Sequence, residues 1–267
     1  MKSSSLKIVC CLICKGPLSL QGPPDVDLIC EGTLSCESCQ RTFAIENSIG
    51  EFLRVEELVG FNKRYEKLNN IFSHVYTPAT RLMFALCGGE ENARRECLER
   101  LERRAGAKIL EVGIGTGDNL PYLARCLDGG EVYGLDISRG MLRRCARNLR
   151  KWGLEAELFL GEAERLPFKD QTFDIVFHIG AINFFTDKKQ AIQEMIRVAR
   201  PGTKIIIADE SERALRLLDK FLFQLWIGKR EEVVPPIDLI PETTLETRLD
   251  TIWNGYGYCI EFRTPLR

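Results

Sequence analysis

The stretch "ILEVGIGTGDNL", residues 109–120, combines an apolar strand, a glycine-rich loop and the start of a helix. Its glycines, Gly113, Gly115 and Gly117, are spaced G-x-G-x-G. Glycine lets a ligand approach the backbone, and open α/β sheets bind ligands at the carboxyl ends of their strands. The next apolar run ends at Asp136, whose carboxylate can accept hydrogen bonds from both hydroxyls of a ribose. The sequence therefore predicts a site for a nucleoside-containing ligand.

The loop departs from the pattern that binds a dinucleotide. That pattern, G-x-G-x-x-G, places its third glycine behind a pyrophosphate at a helix N-terminus. Here Gly117 comes one residue too early. Glu111 also precedes the first glycine, and a carboxylate suits a ligand with a cationic amino group better than a pyrophosphate.

Strand-like and helical segments alternate over the rest of the chain, which predicts βαβ units and a mostly parallel sheet. A chain of 267 residues also has room for a small additional module. We expect a doubly wound, Rossmann-like α/β sheet behind a small N-terminal β module. The predicted strands are 107–112, 131–136, 156–160, 173–178, 203–209 and 257–265, and the predicted helices are 90–105, 117–128, 138–152, 187–200 and an apolar one at 214–227.

Five motifs in this order resemble the class I S-adenosylmethionine-dependent methyltransferases. They are "EVGIGTG" (111–117), "GLDIS" (134–138), "GEAERLPFKDQTFDIVF" (161–177), "IGAINFF" (179–185) and "VARPGTKIIIAD" (198–209). The region from "FNKRYEKLNNIF" onward resembles the ubiquinone/menaquinone C-methyltransferases, and "VGIGTGDNLPYL" also resembles phospholipid N-methyltransferases. The resemblance implies an enzyme that transfers a methyl group to a small, lipophilic acceptor such as a quinone or lipid.

The resemblance also implies roles for single residues. Glu111 would lie near the amino group of S-adenosylmethionine, and Asp136 would bind its ribose. Glu162 stands where the family often has Asp or Asn. The implied cofactor-binding residues are Tyr65, Glu111, Gly113, Gly115, Thr116, Gly117, Asn119, Asp136, Ile137, Met141, Glu162, Ala163 and Ile179.

No catalytic residue is assigned from the sequence. Methyl transfer from a sulfonium needs mainly alignment and desolvation, and needs a base only for a nucleophile with a high pKa. His178 lies at the end of an apolar strand. The sequence is equally consistent with a general base and with a buried histidine that has only a structural role. A non-catalytic, cofactor-binding scaffold whose N-terminal ribbon docks a partner remains a second interpretation.

Six of the eleven cysteines lie in the first 39 residues. The pairs Cys11-x2-Cys14 and Cys36-x2-Cys39 have the spacing of a structural four-cysteine zinc site. Cys10 is an alternative to Cys11, and Cys30 lies within the gap. A module of this size buries little core, so a metal has a physical role in its folding. Four thiolates would leave no open position for catalysis.

Charge and hydropathy bear on partners and location. A zinc ribbon before a methyltransferase also resembles certain ribosomal RNA methyltransferases. However, residues 1–57 hold five basic and eight acidic side chains, and this negative balance argues against a module that binds phosphate groups. The net charge of −1 does not point to nucleic acid or an anionic membrane, and no apolar run is long enough for a membrane-spanning helix. Because the first residues do not form a complete secretory signal, we expect a cytoplasmic protein. The resemblance implies a small-molecule acceptor. We expect three regions: a zinc ribbon at 1–55, a helical extension at 56–106 and the methyltransferase domain at 107–267, with a substrate lid at 210–245.

Overall fold

The computed structural model describes residues 1–21, 27–64, 84–85, 88–102, 104–126, 128–218 and 232–266. Its strands form one sheet, in which two antiparallel ends flank a parallel centre. The strands are β1 (Leu18–Gln21), β2 (Gly32–Cys36), β3 (Thr42–Glu46), β4 (Ile49–Glu51), β5 (Lys108–Val112), β6 (Glu131–Asp136), β7 (Glu157–Leu160), β8 (Ile175–Ile179), β9 (Lys204–Glu210), β10 (Leu245–Ile252) and β11 (Gly257–Arg263).

The strand order is β1-β2-β3-β4-β7-β6-β5-β8-β9-β11-β10. Strands β4, β7, β6, β5, β8 and β9 pair in parallel, and the pairs outside this block are antiparallel. The prediction of a mostly parallel α/β sheet with an N-terminal β module is confirmed. Each predicted strand overlaps an observed one, whereas β10 was not predicted.

Helices cover the sheet between the parallel strands. Among the helices whose bounds the structure describes, the α-helices are α1 (Glu90–Leu98), α2 (Leu120–Leu123), α3 (Arg139–Trp152), α4 (Lys188–Val198) and α5 (Glu212–Leu218). Short 3-10 helices span Ser3–Lys7, Val55–Glu57, Ala124–Cys126, Ile182–Phe184, Pro236–Leu239 and Trp253–Gly255.

Several helix predictions need adjustment. The predicted helix 117–128 is a short α2 followed by a 3-10 turn, because Gly117, with φ 78°, still belongs to the loop. The predicted helix 90–105 ends at Leu98. Residues 219–231 of the predicted apolar helix and lid lie outside the described residues.

The N-terminal module joins the parallel sheet through β4. Gly50 pairs with Phe159 and Glu51 with Leu160, and the Phe52 amide donates to the Leu160 carbonyl at 2.7 Å. An added Cβ at Gly50 would lie 3.0 Å from the Phe159 ring, so a side chain there would crowd the junction. The module therefore covers the edge that β7 would otherwise present.

Aromatic side chains carry one hydrophobic core across this junction. Phe52 packs 5.0 Å from Phe43 in the module and 6.3 Å from Phe159 in the sheet, measured between ring centroids. Phe159 continues the contact to Phe168 at 5.0 Å, and Phe168 to Phe173 at 5.0 Å. Because these rings are all buried, the module and the parallel sheet share a core.

The described part of the chain contains no helix that is both long enough and apolar enough to cross a membrane.

Phe52 tests whether the two parts unfold together. Phe52→Ala removes a ring that is 1% exposed, and such a loss lowers the free energy of unfolding by about 3–5 kcal/mol. We expect one cooperative transition in urea, monitored by circular dichroism, at a lower midpoint than the unaltered protein. Val234→Ala, at an exposed position, is the control and should change stability by less than about 0.5 kcal/mol. Two separate transitions would show that the core is not shared.

Candidate cofactor site and cysteine cluster

A cavity opens at the carboxyl ends of β5, β6 and β8, next to the glycine loop. This is the edge at which open α/β sheets bind ligands. Its lining residues are Asn62, Arg94, Glu111, Gly113, Ile114, Gly115, Thr116, Asp118, Asn119, Leu135, Asp136, Ile137, Met141, Gly161, Ala163, Glu164, Ile179, Gly180, Ala181, Phe184 and Phe185.

Two glycines of the loop are required by their surroundings. Gly113 has φ 75°, and a Cβ there would lie 3.1 Å from the His178 ring. Gly117 has φ 78°, and a Cβ there would lie 2.7 Å from the Cys145 sulfur. The loop therefore turns sharply between the strand and the helix, which side chains would prevent.

Asp136 is held at the mouth of the loop by backbone amides. Its carboxylate accepts hydrogen bonds from the amides of Gly115 and Ser138, each at 2.8 Å. Burial nevertheless raises the pKa of Asp136 to about 6. A ligand hydroxyl that donates to this carboxylate would favour its ionised form.

Glu111 is the most perturbed group of the cavity. One carboxylate oxygen accepts from the Asn119 side-chain amide at 2.6 Å, and Asn119 in turn accepts from Arg94 at 2.6 Å. The other oxygen, Oε2, is buried and has no hydrogen-bond partner among the described residues. Burial raises the pKa of Glu111 to about 8, despite the nearby Arg94. A cationic donor in the cavity would satisfy the free oxygen.

The structure brings most of the predicted cofactor residues together. Gly117 and Glu162 do not line the cavity, and Glu162 instead pairs with Arg165 and accepts from Asn62. Tyr65 lies outside the described residues. The predicted residues that line the cavity are Glu111, Gly113, Gly115, Thr116, Asn119, Asp136, Ile137, Met141, Ala163 and Ile179.

Sequence reasoning missed the strap at 52–62, which leads from β4 to the cavity. Asn62 lines the cavity and is 5% exposed. Its amide donates to the Thr186 hydroxyl at 3.0 Å, and its side chain accepts from the Thr186 amide at 3.2 Å. Its Nδ2 donates to Glu162 at 3.3 Å. One cavity wall is therefore attached directly to the N-terminal module.

Asp209 orders the wall at the other end of the cavity. Its carboxylate accepts from the amides of Ala181 at 3.0 Å and Asn183 at 2.7 Å, in the loop after β8. This loop contributes the apolar side chains Phe184 and Phe185 to the cavity.

His178 lies beneath this wall and is fully buried. Its Nδ1 is 2.7 Å from the Val112 carbonyl, so this nitrogen carries the proton. Its Nε2 has no partner among the described residues. Burial lowers the pKa of His178, so the ring is neutral near pH 7. It does not line the cavity, which favours the core interpretation.

The four predicted metal ligands converge in the module. The sulfurs of Cys11, Cys14, Cys36 and Cys39 all lie within 4.8 Å of one another, with Cys11–Cys39 at 3.6 Å and Cys14–Cys36 at 3.4 Å. Thiolates about 2.3 Å from a tetrahedral zinc ion lie about 3.8 Å apart, so the arrangement fits that ion. Cys10 and Cys30 are not part of the cluster, which decides the ambiguity in favour of Cys11.

Two family models match the chain. Residues 109–202 match the model described as a methyltransferase domain, and residues 2–48 match the model described as Trm112p-like protein. The strap at 52–62 lies between the two matched regions.

Curated relatives are also methyltransferases. Methyltransferase GfsG of Streptomyces halstedii is 35% identical over 136 residues, which are 50% of this chain and 49% of the relative. The ubiquinone/menaquinone biosynthesis C-methyltransferase UbiE of Burkholderia mallei is 29% identical over 181 residues, which are 65% of this chain and 74% of the relative. The match thus spans about half of the first relative and three quarters of the second.

One similar solved structure comes from a complex that contains a Trm112 protein. It is a chain from the complex between the Haloferax volcanii Trm112 methyltransferase activator and a methyltransferase, with a TM-score of 0.52 and 18% identity. The match covers 65% of this chain and 89% of that one, and at this identity it shows the fold.

The fold and the family match assign residues 109–202 to a methyltransferase domain with the class I fold. A Trm112-like module with a four-cysteine cluster precedes this domain. The predicted class is therefore confirmed.

Glu111 gives a pH-dependent prediction. Because burial raises its pKa from the usual 4.5 to about 8, the folded state holds this proton more tightly than the unfolded state. The contribution of Glu111 to stability therefore falls as the pH rises between those values. We expect Glu111→Gln to increase the free energy of unfolding by about 1–3 kcal/mol at pH 8, with little change at pH 4.5.

Urea unfolding at both pH values measures this difference. Glu155→Gln, at an exposed carboxylate, is the control and should show no such gain at pH 8. A Glu111→Gln protein that is less stable than the unaltered protein at pH 8 would contradict the assignment of an unsatisfied buried carboxylate.

Proposed function

We propose that this protein transfers the methyl group of S-adenosylmethionine to a small, lipophilic acceptor. The observation that carries the proposal is the pair of buried carboxylates beside an open glycine loop. Asp136 offers acceptors for ribose hydroxyls, and Glu111 offers a free oxygen for the amino group. Burial raises the pKa of each carboxylate, and a bound hydrogen-bond donor would stabilise the ionised form and lower that pKa again.

Bound S-adenosylmethionine would supply an activated methyl group that needs no further activation. The residues of the chain bind and orient the reactants and exclude water. Ile137 and Met141 provide an apolar surface beside Asp136, and Asp209 fixes the loop that carries Phe184 and Phe185. No side chain is assigned as a base, because alignment and desolvation are sufficient unless the nucleophile carries a proton with a high pKa.

The acceptor end of the cavity supports a lipophilic substrate. The lining at this end includes Ile179, Ala181, Phe184 and Phe185, which are apolar. A ring or an acyl chain placed there would bury apolar surface, and this burial contributes favourably to the free energy of binding. The named activity of the Burkholderia relative, a quinone-biosynthesis C-methyltransferase, is consistent with such an acceptor.

We also propose that the cysteine cluster holds a structural zinc ion and that the module supports the cofactor site. The ion would fix the two cysteine pairs that flank β1 and β2. The module then positions β4 against β7, and the strap carries Asn62 to the cavity. The solved Haloferax complex names Trm112 as a methyltransferase activator, and here a similar module is part of the same chain.

Calorimetry with S-adenosylhomocysteine tests the cofactor site. We expect binding by the unaltered protein and at least about tenfold weaker binding by Asp136→Ala, since a hydrogen bond to a charged group contributes about 1.5–3 kcal/mol. Glu155→Ala should bind like the unaltered protein. An absence of binding by the zinc-loaded protein would contradict the proposal, and so would equal binding by Asp136→Ala.

Metal analysis tests the cysteine cluster. We expect about one zinc ion per chain after purification, and a loss of that zinc in Cys36→Ser. Cys10→Ala and Cys30→Ser serve as controls that remove thiols outside the cluster and should retain the metal. Zinc content that is unchanged in Cys36→Ser would refute the four-cysteine site.

A further inference from the structure

Helix α3 (Arg139–Trp152) has an unusual distribution of charge. It carries six basic side chains and no acidic one, in a chain whose net charge is −1. Its apolar residues Met141, Leu142, Cys145 and Leu149 are buried. The basic residues therefore occupy the opposite side of the helix, which faces solvent.

Most of these cations are not neutralised by the protein. Arg139 pairs with Glu46 and Glu51 of the N-terminal module. By contrast, the exposed side chains of Arg143, Arg147, Arg150 and Lys151 have no ion pair or side-chain hydrogen bond to any described residue. We call these four residues the basic face.

The basic face is held rigidly. The Ser138 hydroxyl caps the helix by accepting from the Met141 amide at 3.2 Å, and Gly153 ends it in a left-handed conformation. Met141 also lines the cofactor cavity, so the helix begins at the site and extends away from it.

We propose that the basic face binds the phosphate backbone of single-stranded RNA. Arg143 and Lys151 lie eight residues apart on the helix, or about 12 Å, so the four cations of the basic face are spaced at about 4 Å along the axis. This spacing is close to the one charge per about 3.4 Å of a single strand and wider than the one per about 1.7 Å of a duplex. Arginine, which supplies three of the four cations, binds phosphate oxygens through paired N–H groups.

The arrangement does not suit an anionic membrane surface equally well. Helices that lie on membranes insert apolar side chains next to their basic ones. The large aliphatic residues of α3 are instead packed against the sheet. The acidic balance of residues 1–57, which argued against nucleic acid, describes the module and not this helix.

Fluorescence anisotropy with the full chain and a labelled 20-nucleotide single-stranded RNA of mixed sequence tests the proposal. The logarithm of the binding constant should fall with the logarithm of KCl concentration, between 50 and 200 mM, with a slope of about −3, since each neutralised phosphate contributes about −0.7. The triple variant Arg143→Gln/Arg147→Gln/Arg150→Gln should bind at least about tenfold more weakly at 50 mM KCl and lose about two units of slope.

The control variant Lys7→Gln/Lys169→Gln/Lys189→Gln removes the same charge from exposed positions outside α3 and should bind within twofold of the unaltered protein. Unchanged thermal melting of both variants shows that they are folded. The proposal is overturned if the unaltered protein does not bind RNA at 50 mM KCl, or if both variants lose affinity equally. Binding to phosphatidylserine vesicles without binding to RNA would assign the face to a membrane. None of these outcomes depends on S-adenosylhomocysteine binding, so this inference is independent of the proposed enzymatic function.

Discussion

The parallel pairing of β4 with β7 is the contact on which the arrangement of this protein depends. A single backbone hydrogen bond, from the Phe52 amide to the Leu160 carbonyl, continues the ladder past the last residue of β4. Phe52 then places its ring between Phe43 and Phe159. Parallel strands are normally joined by a crossover within a domain. Here β4 directly follows the region that matches the Trm112p-like model, whereas β7 lies within the region that matches the methyltransferase model. The pairing makes one sheet out of both.

The same contact couples the cysteine cluster to the cofactor cavity. Residues 52–62 leave β4 and reach Asn62, which bonds to Thr186 and Glu162 at the cavity wall. A metal in the module would not contact the cavity. It would instead restrict the position of residues 52–62, which support this wall. This role agrees with the closed coordination sphere expected of four thiolates, which offers no position for a substrate. The buried carboxylates of Glu111 and Asp136 line the cavity and lie outside the module.

Local sequence patterns predicted the parallel strands and the glycine loop with Asp136, and the resemblance to known methyltransferases implied several further lining residues. Strand periodicity and the glycine spacing depend on nearby residues, so Gly113, Gly115 and Asp136 could be assigned to one site. Residues that reach the cavity from distant segments, such as Arg94 and Asn62, carry no local signal. The pairing of β4 with β7 is equally non-local, and β10 has the charged, exposed sequence of an edge strand, which hides its period. The prediction for Glu162 was drawn from its position in a motif, whereas its charge is neutralised by Arg165. The cluster of basic residues in α3 is present in the sequence, but the net charge of −1 sums over the whole chain and does not reveal it.

Native-state amide hydrogen exchange at Phe52 tests the central claim most directly, because this amide belongs to the module and its acceptor belongs to the sheet. If the two regions form one cooperative unit, the Phe52 amide should exchange only through global unfolding, with protection equal to that of the β6 amides at the centre of the sheet. Exchange at Phe52 about a hundredfold faster than in β6 would show that the module detaches on its own and would contradict the account.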